Sequence, residues 1–324
     1  MKPIIIKFGG SSLADPVKIR RAAVMVLASR RRGFAPVAVV SAPADSTDDL
    51  LKLAALTGGA SVQAREKDAL MAAGEQFSAA LMAMAINAEG GRAVSLTGFQ
   101  AGIRTDDNFS AAEVRGVDAR RLKKELAAGN IPVVAGFQGI SRGGDITTLG
   151  RGGSDLTAVV LARALGCAPC EFRTDVKGIY TAHPAIVPQA RKIRELSYGE
   201  VIALAGSGAE VRQLRAIKYA ARYAIPLHLR SSFHSETGTL VTARPGTPRI
   251  ACLSSKKEGE DTLVSAIGRG LGSSHVEKVI RAAAGTRIMA GIVTTSTDTI
   301  SLLVQADKAD SLLKALHAAF FRPY

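Results

Sequence analysis

The chain has 324 residues, of which 47% are hydrophobic, 5% aromatic and none Trp; it can bury a large core, and its length suits two domains. Its formal charge of +14 bears on solubility and on steering of anions. The cations are scattered, the densest run being residues 30–32, and neither a basic stripe interleaved with aromatics nor a zinc-finger spacing occurs. With no signal-peptide pattern and no uninterrupted apolar run near the roughly 18 residues that cross a bilayer, neither a nucleic acid nor a membrane is expected as a partner, and the expected location is cytoplasmic.

The predicted elements alternate between strand and helix. Residues 2–8 (KPIIIKF) read as a buried strand of parallel type running into Gly9, Gly10, Ser11 and Ser12, with a helix from about Pro16. Strand, glycine turn and helix is the arrangement by which open α/β sheets hold ligands beyond the carboxyl ends of their strands, and Lys7 sits at that edge. The same residues also read as a tight turn beside a solvated lysine, and no GxxxxGK[ST] spacing occurs. Further strands are expected over 36–41, 92–96, 131–135, 171–174 and 227–230, with helices over 17–30, 64–87 and 119–128.

Residues 147–165 (TTLGRGGSDLTAVVLARAL) set Arg151 among glycines and place Ser154 and Asp155 at the start of a helix expected to be amphipathic. Unpaired N–H groups at a helix start, together with Gly150, Gly152 and Gly153, make an anion site, and Arg151 supplies a planar cation for a carboxylate. A surface arginine beside an ordinary N-cap at Ser154 or Asp155 is the alternative. Cys167, Cys170 and Cys252 cannot frame disulfides; Cys170 is expected in a strand and Cys167 in a loop, and the histidines do not complete a metal site around them. The stretch 242–249 (TARPGTPR) reads as a linker. It divides the chain into residues 1–248 and 249–324. In the second part, strands over 250–255, 262–267, 288–294 and 299–305 and helices over 273–284 and 308–320 form a small α+β unit.

Taken in order, KFGGSS (7–12), SAPADSTDDLL (41–51), GEQFSA (74–79), SLTGFQAGIRTD (95–106), VVAGFQG (133–139), TTLGRGGSD (147–155), TDVKGIYTAHP (174–184) and LRSSF (229–233) resemble the aspartate kinases of the amino acid kinase fold. That resemblance implies an α/β catalytic domain with an open, mostly parallel sheet and helices on both faces, followed by an ACT-like α+β domain. The implied reaction is phosphorylation of the side-chain carboxylate of L-aspartate by ATP, with Mg2+ carried by the nucleotide and 4-phospho-L-aspartate as product. By the same resemblance, Lys7 contacts the transferring phosphoryl group and Asp155 organises it, while Gly9, Gly10 and Ser11 surround the ATP phosphates. Ser41 and Thr47 line the aspartate pocket, Glu75 pairs with the substrate ammonium, Arg151 clamps its α-carboxylate, and Ser154 completes the pocket. Thr174, Asp175, Gly178 and Tyr180 hold the adenosine. A carboxylate with a pKa near ~4 is already ionised at neutral pH, so the implied chemistry needs charge neutralisation and alignment rather than a general base.

Departures from the family pattern keep other readings open. Pro43, Ala44, Phe109 and Glu113 stand where Met, Gly, His and Arg are common, and Lys177 and His183 where Asp is common. An amino acid kinase acting on a different carboxylate or related anion in a specialised pathway is the alternative, and a catalytically silent relative the third; the retained Lys7, Glu75, Arg151 and Asp155 argue against the last. The family usually carries two ACT units, one inserted in the other. Here one is expected, as though the insert were removed between Ser255 and Asp261. Insensitivity to lysine and threonine follows as an expectation, as does a homodimer through the ACT region, with the apolar strand 299–304 available for edge pairing.

Overall fold

The computed structural model describes residues 1–44, 46–167, 169–208, 214–243, 247 and 249–321. It forms two compact units, Met1–Lys177 with Arg222–Glu236, and Gly178–Ala221 with Thr237–Tyr324.

In chain order the first unit contains β1 (Lys2–Phe8), α1 (Pro16–Arg31), β2 (Phe34–Val40), α2 (Ser46–Gly58), α3 (Ala64–Ala88), β3 (Ala93–Leu96), β4 (Ile103–Thr105), β5 (Val114–Val117), α4 (Arg120–Ala127), β6 (Ile131–Ala135), β7 (Gln138–Ile140), β8 (Ile146–Thr148), α5 (Gly153–Leu165) and β9 (Cys170–Thr174). Next come β10 (Glu195–Ser197) and α6 (Tyr198–Gly206), both in the second unit, then α7 (Leu214–Arg222) and β11 (Leu227–Ser231), which returns to the first. The main sheet of the first unit runs β11-β9-β1-β2-β6-β3, parallel throughout. Its central strands β1, β2 and β6 are mostly apolar runs buried along most of their length, the expected composition for a parallel sheet covered by helices. Ile4, Ile6 and Phe8 of β1 meet Val26 of α1 and Met82 and Ile86 of α3 in one core. Helix α1 starts where Asp15 accepts the Lys18 N–H at 2.8 Å with Pro16 in the first turn, a combination that satisfies one orphan donor and presets the backbone.

One expectation needs correction here. Helix α5 is not amphipathic: Gly153 to Ala162 are all buried, because it packs against β1, β2 and β9 on one side and β5 and β7 on the other. Those last two strands belong to a second sheet, ordered β5-β4-β7-β8, whose strands of three or four residues are too short for a readable alternation. Helix α3 is, among the described residues, long and apolar enough to cross a membrane by length and average hydropathy, a test that counting uninterrupted apolar runs does not apply. Its buried face carries Asp68 and Glu75 beside Met71, Met82 and Ile86, which suits a core helix with polar work to do.

The second unit adds β12 (Thr239–Thr242), parallel to β10, and then β13 (Arg249–Glu258), β14 (Asp261–Arg269), α8 (Ser273–Ala284), β15 (Gly291–Thr295), β16 (Thr299–Gln305) and α9 (Ala309–Phe320). The last four strands form an antiparallel sheet ordered β13-β14-β16-β15. With α8 and α9 it encloses Leu253, Val264, Val279, Ile300, Leu302, Leu312 and Leu316, an ACT-like α+β arrangement. Strands β13 and β14 meet at Gly259 and Glu260, with Gly259 in the left-handed region at φ +65°, inside the interval where an insert was expected to be missing. The strand expected to offer an edge, 299–304, lies instead between β14 and β15; the exposed edge is β15, every residue of which is solvent-exposed.

Packing divides the chain differently from the expected cut at 248. Ala182 and Val187 join the core of the antiparallel sheet, and the Leu253 N–H donates to the Thr181 carbonyl at 2.8 Å. Glu200 of α6, fully buried, faces Arg249 and Arg269 at 3.6 Å each. These contacts draw segment 178–221 into the second unit. Most of the expected linker (244–246 and 248) lies outside the described residues.

Candidate active site

The parallel sheet brings the ends of β1, β2, β6 and β9 together, and the backbone joins them there. The Gly9 N–H donates to Arg173 O, Ser41 N–H to Phe8 O and Gly136 N–H to Val40 O. Three glycines let the crossing segments close up. A Cβ on Gly10 would stand 2.8 Å from Ala42 O; one on Gly136 would meet Ser154 Cβ at 2.7 Å and Val40 O at 2.9 Å; one on Gly74 would meet Ala42 Cβ at 3.0 Å. The loop after β1, the loop after β2, α3 and the start of α5 therefore share one small space. Phe137 takes a left-handed φ of +68° beside it, steadied by Thr157 Oγ1 accepting its N–H at 3.1 Å.

Lys7, the penultimate residue of β1, extends its ammonium to within 2.6 Å of Asp155 Oδ1, both side chains almost wholly buried. The contact is a charge pair without an aligned hydrogen bond to that oxygen. Glu75, on the buried face of α3, is 5% exposed. Burial pushes its carboxyl up to about 7, against the opposing pull of the Ala42 N–H, its own N–H and the charge of Lys7. Among the described residues its Oε2 has no hydrogen-bond partner, nor has Ser78 Oγ one turn further along. A buried, unsatisfied carboxylate oxygen close to a lysine is costly unless something cationic arrives to use it.

Helix α5 begins at Gly152, at φ +65° and with no side-chain cap, so Ser154 and Asp155 lie in its first turn rather than at the cap. Uncapped N–H groups there suit an anion. Arg151 is exposed on the same turn, whereas Ser154 is buried against Gly136. Ser41 and Thr47 are half-buried, on the loop after β2 and the first turn of α2; Asp45 between them lies outside the described residues. Ser11 belongs to a short turn of 3-10 helix, Gly10–Leu13. Thr174 Oγ1 bonds Asp175 Oδ1 at 2.8 Å at the end of β9. The other expected adenosine residues, Gly178 and Tyr180, belong to the second unit, where Gly178 takes φ +130° against Thr239, and Tyr180 bridges to Lys192.

The departures also have places. Pro43 O accepts the Ser46 hydroxyl at 2.7 Å before α2, Phe109 is half-buried, and Glu113 faces Arg115 at 3.5 Å. Lys177 faces Glu236 at 3.4 Å, and His183 Nδ1 accepts the Ala185 N–H at 3.3 Å. The three cysteines are free and buried, with burial pushing the Cys167 thiol up to about 11 and the Cys252 thiol up to about 12. Cys167, expected in a loop, is thus as inert as a core residue.

Sequence reasoning missed two side chains that organise this end of the sheet. Gln138 donates through Nε2 to Ala72 O at 3.0 Å and accepts from Gln76. Asp68 accepts four hydrogen bonds from Thr148 and Ser110. The only sequence signal was an acid at a position of α3 that its apolar neighbours mark as inward-facing.

The sequence signature of the amino acid kinase family matches residues 2–231. The aspartokinase of Mycolicibacterium smegmatis is 48% identical over 242 residues, 74% of this chain and 57% of that protein. That of Geobacillus stearothermophilus is 45% identical over 238 residues, 74% and 58% of the two chains. The chain thus spans little more than half the length of these curated relatives. Among solved structures, aspartate kinase from Synechocystis is 34% identical with a TM-score of 0.68, covering 98% of this chain and 55% of that one. Aspartokinase III of E. coli, in complex with aspartate and ADP, has a TM-score of 0.82 over 99% of this chain and all of that one at 22% identity, a likeness of fold. The signature over 2–231 and the parallel sheet that gathers Lys7, Glu75 and Asp155 at one end lead to the same conclusion: the chain belongs to the amino acid kinase family.

Proposed function

We propose that the chain transfers the γ-phosphoryl group of ATP to the side-chain carboxylate of L-aspartate, giving ADP and 4-phospho-L-aspartate. The observation that carries this reading is the buried, unpartnered Glu75 Oε2 beside the Lys7–Asp155 pair: an α-ammonium would satisfy the first while the transferring phosphoryl group meets the second. Arg151 holds the α-carboxylate, Ser41, Thr47 and Ser154 shape the pocket, and Gly9, Gly10 and Ser11 face the phosphates. Thr174 and Asp175 take the adenosine. Lys7 and the uncapped start of α5 oppose the charge that builds on the transferring group. Magnesium enters with the nucleotide and neutralises its phosphates; among the described residues no group of three or more His, Cys, Asp or Glu is arranged to hold a metal ion.

The reading extends to the setting. The enzyme works in the cytoplasm, residues 1–248 form the catalytic domain, with segment 178–221 packed into the same compact unit as the antiparallel sheet, and 249–324 a single ACT-like domain; two copies associate through the latter, with the exposed strand β15 as the free edge. Purified protein supplied with L-aspartate, magnesium, ATP and hydroxylamine should yield the hydroxamate of L-aspartate and release ADP and phosphate in equal amounts. A panel including L-glutamate and other small carboxylates tests the alternative that Pro43 and Phe109 have moved specificity; preference for another acid would overturn the assignment to aspartate.

A further inference from the structure

We propose that Asp68 is the positioning residue of the carboxylate clamp, fixing the loop that carries Arg151 relative to Glu75; the inference rests on the roles just given to those two residues. Asp68 is 1% exposed. Its carboxylate takes the Thr148 N–H at 2.7 Å and the Thr148 hydroxyl at 2.8 Å, then the Ser110 N–H at 2.8 Å and the Ser110 hydroxyl at 3.3 Å. A buried carboxylate is expensive, and packing alone would be served by an apolar side chain. Four donors converging on one group instead fix a place. Ser110 adopts a left-handed φ of +67° to present its N–H, a conformation that costs a non-glycine residue free energy and persists only where neighbours enforce it.

What is fixed is Thr148, three residues before Arg151. Its carbonyl is held as well, accepting the Ala112 N–H at 2.9 Å, and the next residue, Leu149, donates to Phe137 O at 2.8 Å. Only then does the chain turn through Gly150 at φ +74° and Gly152 at φ +65°, with Arg151 between them. On the other side, Asp68 precedes Glu75 by seven residues of α3, two helical turns on the same buried face. One rigid helix therefore sets both ends of an amino acid site: Glu75 directly for the ammonium, and Asp68, through Thr148, for the arginine that meets the carboxylate.

Asp68→Asn keeps the shape but brings two hydrogens to a point where four donors already meet. It should raise the KM for the amino acid about tenfold, the equivalent of one strong hydrogen bond, while kcat and the KM for ATP stay within about twofold. The effect should vanish in an Arg151→Lys background and persist in full in a Glu75→Gln background, because only the first pair acts through the same contact. Thr148→Val, which loses a single hydrogen bond, should shift the same constant in the same direction by less. An Asp68→Asn protein that melts normally with an unchanged amino acid KM overturns the proposal, as does full additivity with Arg151→Lys. If Asp68→Asn does not fold, an unchanged amino acid KM in folded Thr148→Val and Ser110→Ala overturns it equally. Should the wild type prefer another acid in the panel, the functional reading fails while the same constants, measured for that acid, still decide the role of Asp68.

Discussion

Lys7 and Asp155 are the pair whose disturbance should be felt first. Each is buried, and each leaves the other uncompensated when removed, a loss typically of about 3–5 kcal/mol. Lys7→Ala therefore mixes a folding defect with a catalytic one. Lys7→Arg keeps a cation for Asp155 but moves it; we expect near-normal melting with kcat reduced about a hundredfold or more, since electrostatic groups of this kind act on the transition state. Near-normal turnover in the arginine variant would show that the position of the ammonium does not matter. Glu75 offers a pH test. With its carboxyl pushed by burial from 4.5 to about 7, the folded protein holds a proton that the unfolded chain has released between those values, so this group's contribution to stability falls as pH rises through that window, by about 3 kcal/mol in all. Glu75→Gln removes the titration. Its melting temperature should fall less than that of the wild type between pH 5 and pH 8, while the wild-type kcat/KM for aspartate should rise with pH to a plateau above about 7, where the free enzyme is ionised. Superimposable melting profiles for the two proteins would show that Glu75 does not titrate there.

Helices and strands carry their own tests, because the site is built where elements nearly touch. Gly136 separates the end of β6 from the start of α5 with no room for a methyl group, two of the three atoms in the way belonging to Ser154 and one to the backbone of β2. Gly136→Ala should destabilise the protein by about 1–3 kcal/mol through overpacking and raise the amino acid KM by shifting Ser154; thermal melting and initial rates would both register it, and an unchanged melting temperature would mean that α5 can slide. How much of this was legible in the sequence depends on the length and isolation of each element. Residues 2–8, 131–135, 273–284 and 299–305 match the observed β1, β6, α8 and β16 end to end, because each is a clear apolar or amphipathic run between turn residues. The small sheet of β4, β5, β7 and β8 escaped, since three residues cannot display a period. Lys7, Glu75 and Asp155 were legible from motifs in order along the chain. The fourfold grip of Asp68 on Thr148 and Ser110 was not, because it joins residues 42 and 80 positions apart.

At the scale of the whole chain the question is regulation. An effector can shift an equilibrium only by binding the active and inactive states unequally, and in the family this chain resembles the inserted ACT unit usually contributes the pocket. On the proposal that 249–324 is a single ACT-like domain, assays at millimolar lysine, threonine and both together should give unchanged rates; saturable inhibition by either would reveal a working effector site in 249–324. Light scattering at the same concentrations should report a dimer that neither amino acid dissolves. The two-residue turn at Gly259 and Glu260 bears on what else this architecture permits. The ends of paired strands lie about 5 Å apart, a spacing that the neighbouring termini of many folded domains can meet, and loop-closure entropy grows only slowly with the length of what is spliced in, by about 0.6 kcal/mol per doubling. A foreign binding module grafted between those two residues would leave both strands in register, so that its ligand could be made to strain or relax this antiparallel sheet through a single splice point.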